Sequence, residues 1–172
     1  MTYENGVLNG VALAVDHADS ADSYLVYAAG RESVVAVVQP STVAGVEAMP
    51  KMGGHPLFAV RFDSTPVADA AVLARGRDAD RAVEVAAQRG AVLRAAQVYG
   101  AGLKLLDLTV LYAQQRHQFG GPIGRFQAVQ YLCTDIAIAA HFTSVHTRAA
   151  AAALDTRRDP QPHIGLMCKQ AA

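Results

Sequence analysis

The chain has 172 residues, 52% of them hydrophobic, which is enough for a real core in one ordinary domain or two small ones. Fifteen Lys and Arg balance fifteen Asp and Glu, and neither sign forms a block, so the electrostatic footprint of a nucleic-acid or anionic-membrane binder is missing and neither partner is expected. No stretch nears the roughly 18 uninterrupted apolar residues of a membrane span, and the N-terminus lacks the basic-then-apolar layout of a signal peptide, so a cytoplasmic address is expected.

The first part of the chain alternates short β-branched runs with turn residues: Val7-Leu8, Val11 to Val15, Tyr24 to Ala28, Val34 to Val38 and Leu57 to Phe62. This half reads as antiparallel β. Asn9-Gly10 suits a type I′ hairpin turn and is expected to link two strands directly. Met49 to Gly54 and Asp63 to Pro66 read as turn-rich punctuation, and Val34-Val-Ala-Val-Val38 as a strand buried on both faces.

Near residue 75 the character changes, and from Asp78 onward alanine dominates. Val92, Ala96, Tyr99, Leu103, Leu106, Val110 and Ala113 step by three or four, which predicts one long helix from about Asp80 to Gln115. At 1.5 Å per residue such a helix is about 54 Å long and belongs in a bundle. Phe126, Val129, Cys133, Ile136, Ala140, Thr143, Thr147, Ala150 and Leu154 repeat the step and predict a second, antiparallel helix. A polar connection over 155–162 precedes a third helical pattern from about His163. The expected fold class is therefore α+β: an antiparallel β-domain remnant over 1–77, then an incomplete antiparallel helical bundle over 78–172. Two long helices, a stub and part of a sheet do not bury the faces they present, so a fragment, or a chain that needs another subunit, is expected.

Neither cysteines nor histidines suggest a metal. Cys133 and Cys168 lie far apart without CxxC or Cys/His ligand spacing, which suits a reducing compartment. His141 and His146 are five apart, on different faces of a helix, so they cannot share an ion as an i, i+4 pair can. Asp135 reads as structural, Tyr99 as core and Arg157-Arg158 as a solvated loop pair.

The corner between the two long helices is richer than a helix stop requires. Arg116 suits the carbonyl end of the first helix, and Gly120-Gly121-Pro122 can stop it and let the next begin; Phe119 and Phe126 could form a hydrophobic plug. Against that plain reading, a guanidinium binds phosphate oxygens bidentately, the two rings are flat apolar surfaces, and Gln127 lies in the first turn of the next helix, whose N–H groups attract anions. The set suits a nucleotide pyrophosphate. Gly120, Gly121 and Gly124 follow a helix instead of a strand, the wrong context for a dinucleotide-binding fingerprint.

The run from Tyr112 through Arg116-His-Gln-Phe-Gly-Gly-Pro-Ile and Phe126-Gln-Ala-Val-Gln to Asp135-Ile-Ala resembles the hallmark of the acyl-CoA dehydrogenase family. Val7-Leu-Asn-Gly10, Ala21 to Val26, Lys51-Met-Gly53 and Val60-Arg-Phe62 resemble that family's middle β-domain, and Asp107 to Gln115 its first long C-terminal helix. The resemblance implies an FAD-dependent oxidoreductase of lipid or fatty-acid metabolism that removes an α-proton and a β-hydride from an acyl-CoA thioester. It implies a homo- or hetero-oligomer with a related subunit, in which Arg116, His117, Gln118, Phe119, Phe126 and Gln127 contact an FAD held mainly by the neighbour. Arg116 would neutralise pyrophosphate, and Gln118 and Gln127 would hydrogen-bond the cofactor.

The resemblance supplies no catalytic residue. The family's glutamate base falls beyond Ala172 in most members and at Gly90 in a minority; Glu84 is six residues away and faces elsewhere. Ala14-Val15-Asp16 stands where many members have Trp-Ile-Thr beside the flavin, and a frequent arginine is replaced near His55. The alternative is a non-catalytic subunit that completes a partner's FAD site.

Overall fold

The computed structural model describes residues 1–51 and 53–156, and the chain divides into two compact units, the first running from Met1 to Val83 and the second starting at Glu84. The third helical pattern, Arg157-Arg158, Cys168 and Met52 lie outside the described residues.

The first unit is a seven-stranded sheet. In chain order the strands are β1 (Thr2–Glu4), β2 (Val7–Asp16), β3 (Tyr24–Gly30), β4 (Val34–Val38), β5 (Gly45–Ala48), β6 (Leu57–Pro66) and β7 (Val72–Arg75), and in space they run β5-β6-β2-β1-β3-β4-β7. All neighbours pair antiparallel except β1 and β3, which are parallel through Thr2↔Ala29 and Tyr3↔Gly30.

The expected hairpin turn is in a different place. Glu4 pairs with Val7, so the turn is Asn5-Gly6, with φ of 49° and 80°, the two positive values a type I′ turn requires. Asn9-Gly10 sits inside β2 instead, at a break in register between Leu8 and Gly10 opposite β6. There Gly10 takes φ 128°, and a Cβ on it would stand 3.1 Å from the Met1 Cα. The Asn9 carboxamide oxygen accepts the Ser64 N–H at 2.7 Å, and β6 continues through the Asp63 to Pro66 segment, which is strand with a bulge where Asp63 and Ser64, the latter at φ 47°, oppose Asn9.

Alternation does the packing. Leu8, Val26, Ala28, Val34, Ala36, Val60 and Phe62 are buried residues of one core to which β2, β3, β4 and β6 all contribute. β4 is buried at four of its five positions, as its unbroken apolar run predicts. At the core's edge the Tyr24 hydroxyl donates to the Ala18 carbonyl at 2.7 Å. Arg75, at the end of β7, lies over the Tyr3 ring and pairs with Asp69 at 2.8 Å and Glu32 at 3.7 Å. Its pKa is raised, first by a hydrogen bond to Tyr3 and then by the two carboxylates.

Two helices follow, α1 (Gly76–Gln115) and α2 (Gln127–Thr156). α1 starts four residues before the predicted point because Gly76, at φ 52°, turns the chain directly out of β7, its N–H donating to Ser33 O at 2.7 Å. Asp78 in the first turn complements the helix dipole. Asp80 accepts the Tyr27 hydroxyl at 2.9 Å.

The α2 stripe follows the predicted positions, with Ala140, Thr143, Thr147 and Ala150 buried. On α1 the buried edge is shifted: Val92, Ala95 and Ala113 are buried and Tyr99, Gly102, Leu106 and Thr109 half-buried, whereas Leu103 and Val110, both predicted core, are exposed. Val92 and Ala95 pack against Ala150 and Leu154, and Gly124 approaches the Ala113 carbonyl, so the helices lie antiparallel. The architecture is thus α+β, a β-domain followed by a helical one. Among the described residues no helix is long and apolar enough to cross a membrane.

Candidate functional site

The corner between α1 and α2 is not a simple stop and restart. The Arg116 N–H closes the last helical turn onto Tyr112 O at 2.8 Å, and the Arg116 carbonyl accepts the Ile123 N–H at 2.8 Å. Between these bonds the chain forms a two-stranded hairpin, β8 (His117–Gln118) and β9 (Gly121–Pro122), paired His117↔Pro122 and Gln118↔Gly121. Only Phe119-Gly120 remain for the turn, at φ of 50° and 83°. This is again the type I′ signature. Proline is tolerated because a two-stranded ribbon leaves it on an edge.

A bulky residue at positive φ is strained. The left-handed region costs a non-glycine residue about 1–2 kcal/mol, so Phe119 needs compensation. It comes from Arg125, whose guanidinium donates to the Phe119 carbonyl and lies over the Phe126 ring, 5.0 Å from its centroid. Phe126 in turn meets Phe119 edge to face, with centroids 6.1 Å apart at 86°. An exposed cation–π contact is worth about 0.5–1 kcal/mol and an aromatic pair about as much again, so the cluster is of the size needed to hold the turn. Phe119 itself is 85% exposed, which removes it from any plug; Phe126 alone is half-buried.

The remaining predicted residues surround this tip. The His117 Nδ1–H donates to the Gln115 carbonyl at 2.9 Å, and Gln118 is exposed on β8. Gln127 opens α2 and is exposed, its side-chain amide N–H donating to the Tyr131 hydroxyl at 2.5 Å, a bond that does not engage its carboxamide oxygen. The Phe126 carbonyl starts the helix by accepting from Val129 and Gln130 at 3.0 and 3.1 Å, and the Gln130 amide ties back to Gly124 O at 2.9 Å. Arg116, His117, Gln118 and Phe119 are thus brought to one end of the helix pair with Phe126 and Gln127.

Arg125 is the residue that the sequence reading overlooked. A usable signal was present: no acidic residue occurs between Asp107 and Asp135, a stretch that holds Arg116 and Arg125. Among the described residues neither guanidinium has a carboxylate partner within ion-pair distance. Arg116 is exposed, so its fork is presented to solvent, a donor set that suits phosphate oxygens.

In the first unit, the segments around Ala14 to Asp16 and His55 meet. β2 is irregular between Ala12 and Val15, and Ala14 and His17 both take positive φ, 56° and 53°. The His17 N–H donates to Pro56 O at 3.0 Å, and its ring stands edge-on to His55 at 6.5 Å. On α1, Glu84 is exposed and Gly90 offers no side chain.

Comparison with known proteins places these features. Residues 75–172 match the family model described as acyl-CoA dehydrogenase, C-terminal domain. The glutaryl-CoA dehydrogenase of Desulfococcus multivorans is 28% identical over 98% of this chain and 46% of its own length. The acyl-CoA dehydrogenase IpdE2 of Mycobacterium tuberculosis is 38% identical over half of the chain and a quarter of its own. Among solved structures, that of a glutaryl-coenzyme A dehydrogenase in complex with glutaryl-CoA superposes with a TM-score of 0.87 at 26% identity, covering 96% of this chain and 44% of that one. The ChsE4-ChsE5 complex of Mycobacterium tuberculosis shares the fold, with a TM-score of 0.78 at 23% identity, over 96% and 43%. The chain therefore spans about half the length of its full-length matches, and its order of a β-domain followed by a helical domain is theirs. A match over more than half of its residues, on top of that shared order, makes the chain a member of the acyl-CoA dehydrogenase family.

Proposed function

We propose that the hairpin corner is the part of an FAD site that receives the nucleotide half of the cofactor, in an enzyme that dehydrogenates acyl-CoA thioesters. The observation that carries this reading is the pairing of an exposed Arg116, without a carboxylate partner among the described residues, with the preset, exposed Phe119 at one corner. The side chains fit the group: guanidinium N–H for pyrophosphate oxygens, the Gln118 amide and the Gln127 carboxamide oxygen, an acceptor, for hydrogen bonds, and aromatic faces for stacking. FAD, when bound, supplies the two-electron acceptor for the β-hydride. The residues of this chain bind and orient it; no residue here is proposed as the α-proton base.

On this reading residues 1–77 are the second half of the family's middle β-domain and residues 78–172 the start of its C-terminal helical domain. The corner serves the FAD of a neighbouring subunit, alike or related, so the site is shared across an oligomer. A second reading, a non-catalytic subunit that completes a partner's FAD site, is favoured by Gly90, by Ala14-Val15-Asp16 and by the left-handed Ala14 and His17.

Titration of the purified full chain with FAD, followed by the visible flavin band and by quenching of flavin fluorescence, tests the cofactor. A saturable change that Arg116→Ala weakens supports the site; no change at any concentration, alone or with a related subunit, overturns it. Binding with no acyl-CoA oxidation in the resulting flavoprotein favours the second reading.

A further inference from the structure

We propose that Arg125 is a positioning residue that locks the Phe119-Gly120 turn, holding the exposed Phe119 ring in one orientation before anything binds; what the locked tip receives rests on the cofactor reading above.

Four observations converge on this side chain. It donates to the Phe119 carbonyl, the backbone oxygen of the one strained residue in the hairpin. It lies on the Phe126 ring at 5.0 Å, and Phe126 meets Phe119 edge-on at 6.1 Å, so guanidinium and ring grip the turn from the backbone side and the side-chain side together. It has no carboxylate partner among the described residues, so no competing ion pair draws it away. Finally, it rests on Gly121: a Cβ there would come within 2.8 Å of Nη1 and 3.2 Å of Cζ, so the glycine leaves the room that the guanidinium occupies.

The geometry explains an otherwise costly choice. A type I′ turn favours Asn-Gly or Gly-Gly, and Phe-Gly is a poor sequence for it. Phenylalanine is kept at the tip while a residue six positions later supplies the hold. An exposed aromatic on a loose loop would lose rotational and backbone freedom on contact with a ligand, and fixing it beforehand removes that cost. Lysine cannot replace arginine here, because a point charge neither stacks flat nor presents a rigid fork.

The test compares wild type with Arg125→Ala, Arg125→Lys and Gly121→Ala in the full chain. The first readout needs no cofactor: chymotryptic cleavage after Phe119, located by mass spectrometry, together with the strong intraresidue HN–Hα NOE that positive φ gives Phe119. All three variants are expected to raise cleavage at this bond about tenfold, the factor of a 1.4 kcal/mol change in the closed-turn equilibrium, and to weaken the NOE, with the melting temperature lowered by only a few degrees. The second readout is FAD affinity, expected to fall about tenfold in parallel. Unchanged cleavage and NOE in Arg125→Ala overturn the lock, as does an Arg125→Lys variant that behaves as wild type, since charge alone would then suffice. If wild type binds no FAD, the cofactor reading falls and the cleavage and NOE results still decide the lock. Should Arg125→Ala fail to fold, Gly121→Ala, which displaces only the far end of a flexible side chain, carries the test.

Discussion

Phe126 stands edge-on to Phe119 at 6.1 Å, joining the half-buried foot of the interhelical hairpin to its 85% exposed tip. Phe126 is also the surface on which Arg125 lies. Phe126→Ala is therefore expected to remove two contacts at once. The predicted effect is a loss of about 1–2 kcal/mol in stability of the full chain, from one aromatic pair and one exposed cation–π contact, measured by denaturant unfolding. Phe119→Ala should cost less, since its ring buries little, and on the cofactor reading should weaken FAD more than it weakens the fold.

Arg116→Ala should separate binding from folding. Its guanidinium is exposed and makes no ion pair within the described chain, while its backbone bonds to Tyr112 and Ile123 survive any substitution. The expected change in unfolding free energy is within about 0.5 kcal/mol. Flavin affinity, read from fluorescence quenching, should fall at least about tenfold, in keeping with a lost charged hydrogen bond of about 1.5–3 kcal/mol. Arg116→Lys should recover part of the affinity, because lysine returns the charge but not the bidentate fork.

Gly30→Ala is expected to be among the most damaging single changes in the sheet. A Cβ at Gly30 would stand 2.4 Å from the Tyr3 carbonyl oxygen, a backbone atom held on both sides by pairing with β2 and β3. Neither strand can retreat without breaking the single parallel junction that joins the two halves of the sheet. The cost should reach the 1–3 kcal/mol of an overpacked site or beyond. Gly45→Ala, with nothing within 4 Å of its Cβ, is the matched control and should change stability little. Thermal unfolding of the two variants side by side checks both.

The helical half was legible because its period is long and its stripe regular: Phe126 to Leu154 could be read position by position. On α1 the stripe is off by one at Ala95, Gly102 and Thr109: Leu103 and Val110 are larger than their half-buried neighbours and read as the better core residues, while Ala95 and Ala96 are indistinguishable by size. Burial went to the smaller residue at Gly102 and Thr109, and at Gly102 an added Cβ would meet nothing within 4 Å, so size alone does not explain which residue faces the second helix. In the sheet, two Asn-Gly pairs competed for one turn, and the losing pair became a register break since Met1 and Ser64 bind it there. The hairpin at the corner was invisible for a simpler reason: strands of two residues carry no period. The motif residues drew attention to the corner, while the residue that holds its tip, Arg125, has meaning only once the turn is seen to be strained.

Tyr24→Phe tests the edge of the β core with a single atom. The Tyr24 hydroxyl is buried and donates at 2.7 Å to the carbonyl of Ala18, itself only 2% exposed. Removing the oxygen leaves that carbonyl buried without this donor. A hydrogen bond between two groups that would otherwise both be hydrated is worth about 0.5–1.5 kcal/mol, but a buried acceptor left unsatisfied costs about 1–3 kcal/mol. The second figure applies, because phenylalanine fills the same space and admits no water to replace the lost donor. Denaturant unfolding should show a loss of about 1–3 kcal/mol with an unchanged slope. A loss near zero would mean that the segment carrying Ala18 re-forms its hydrogen bond elsewhere, which amide exchange over residues 17–20 would reveal.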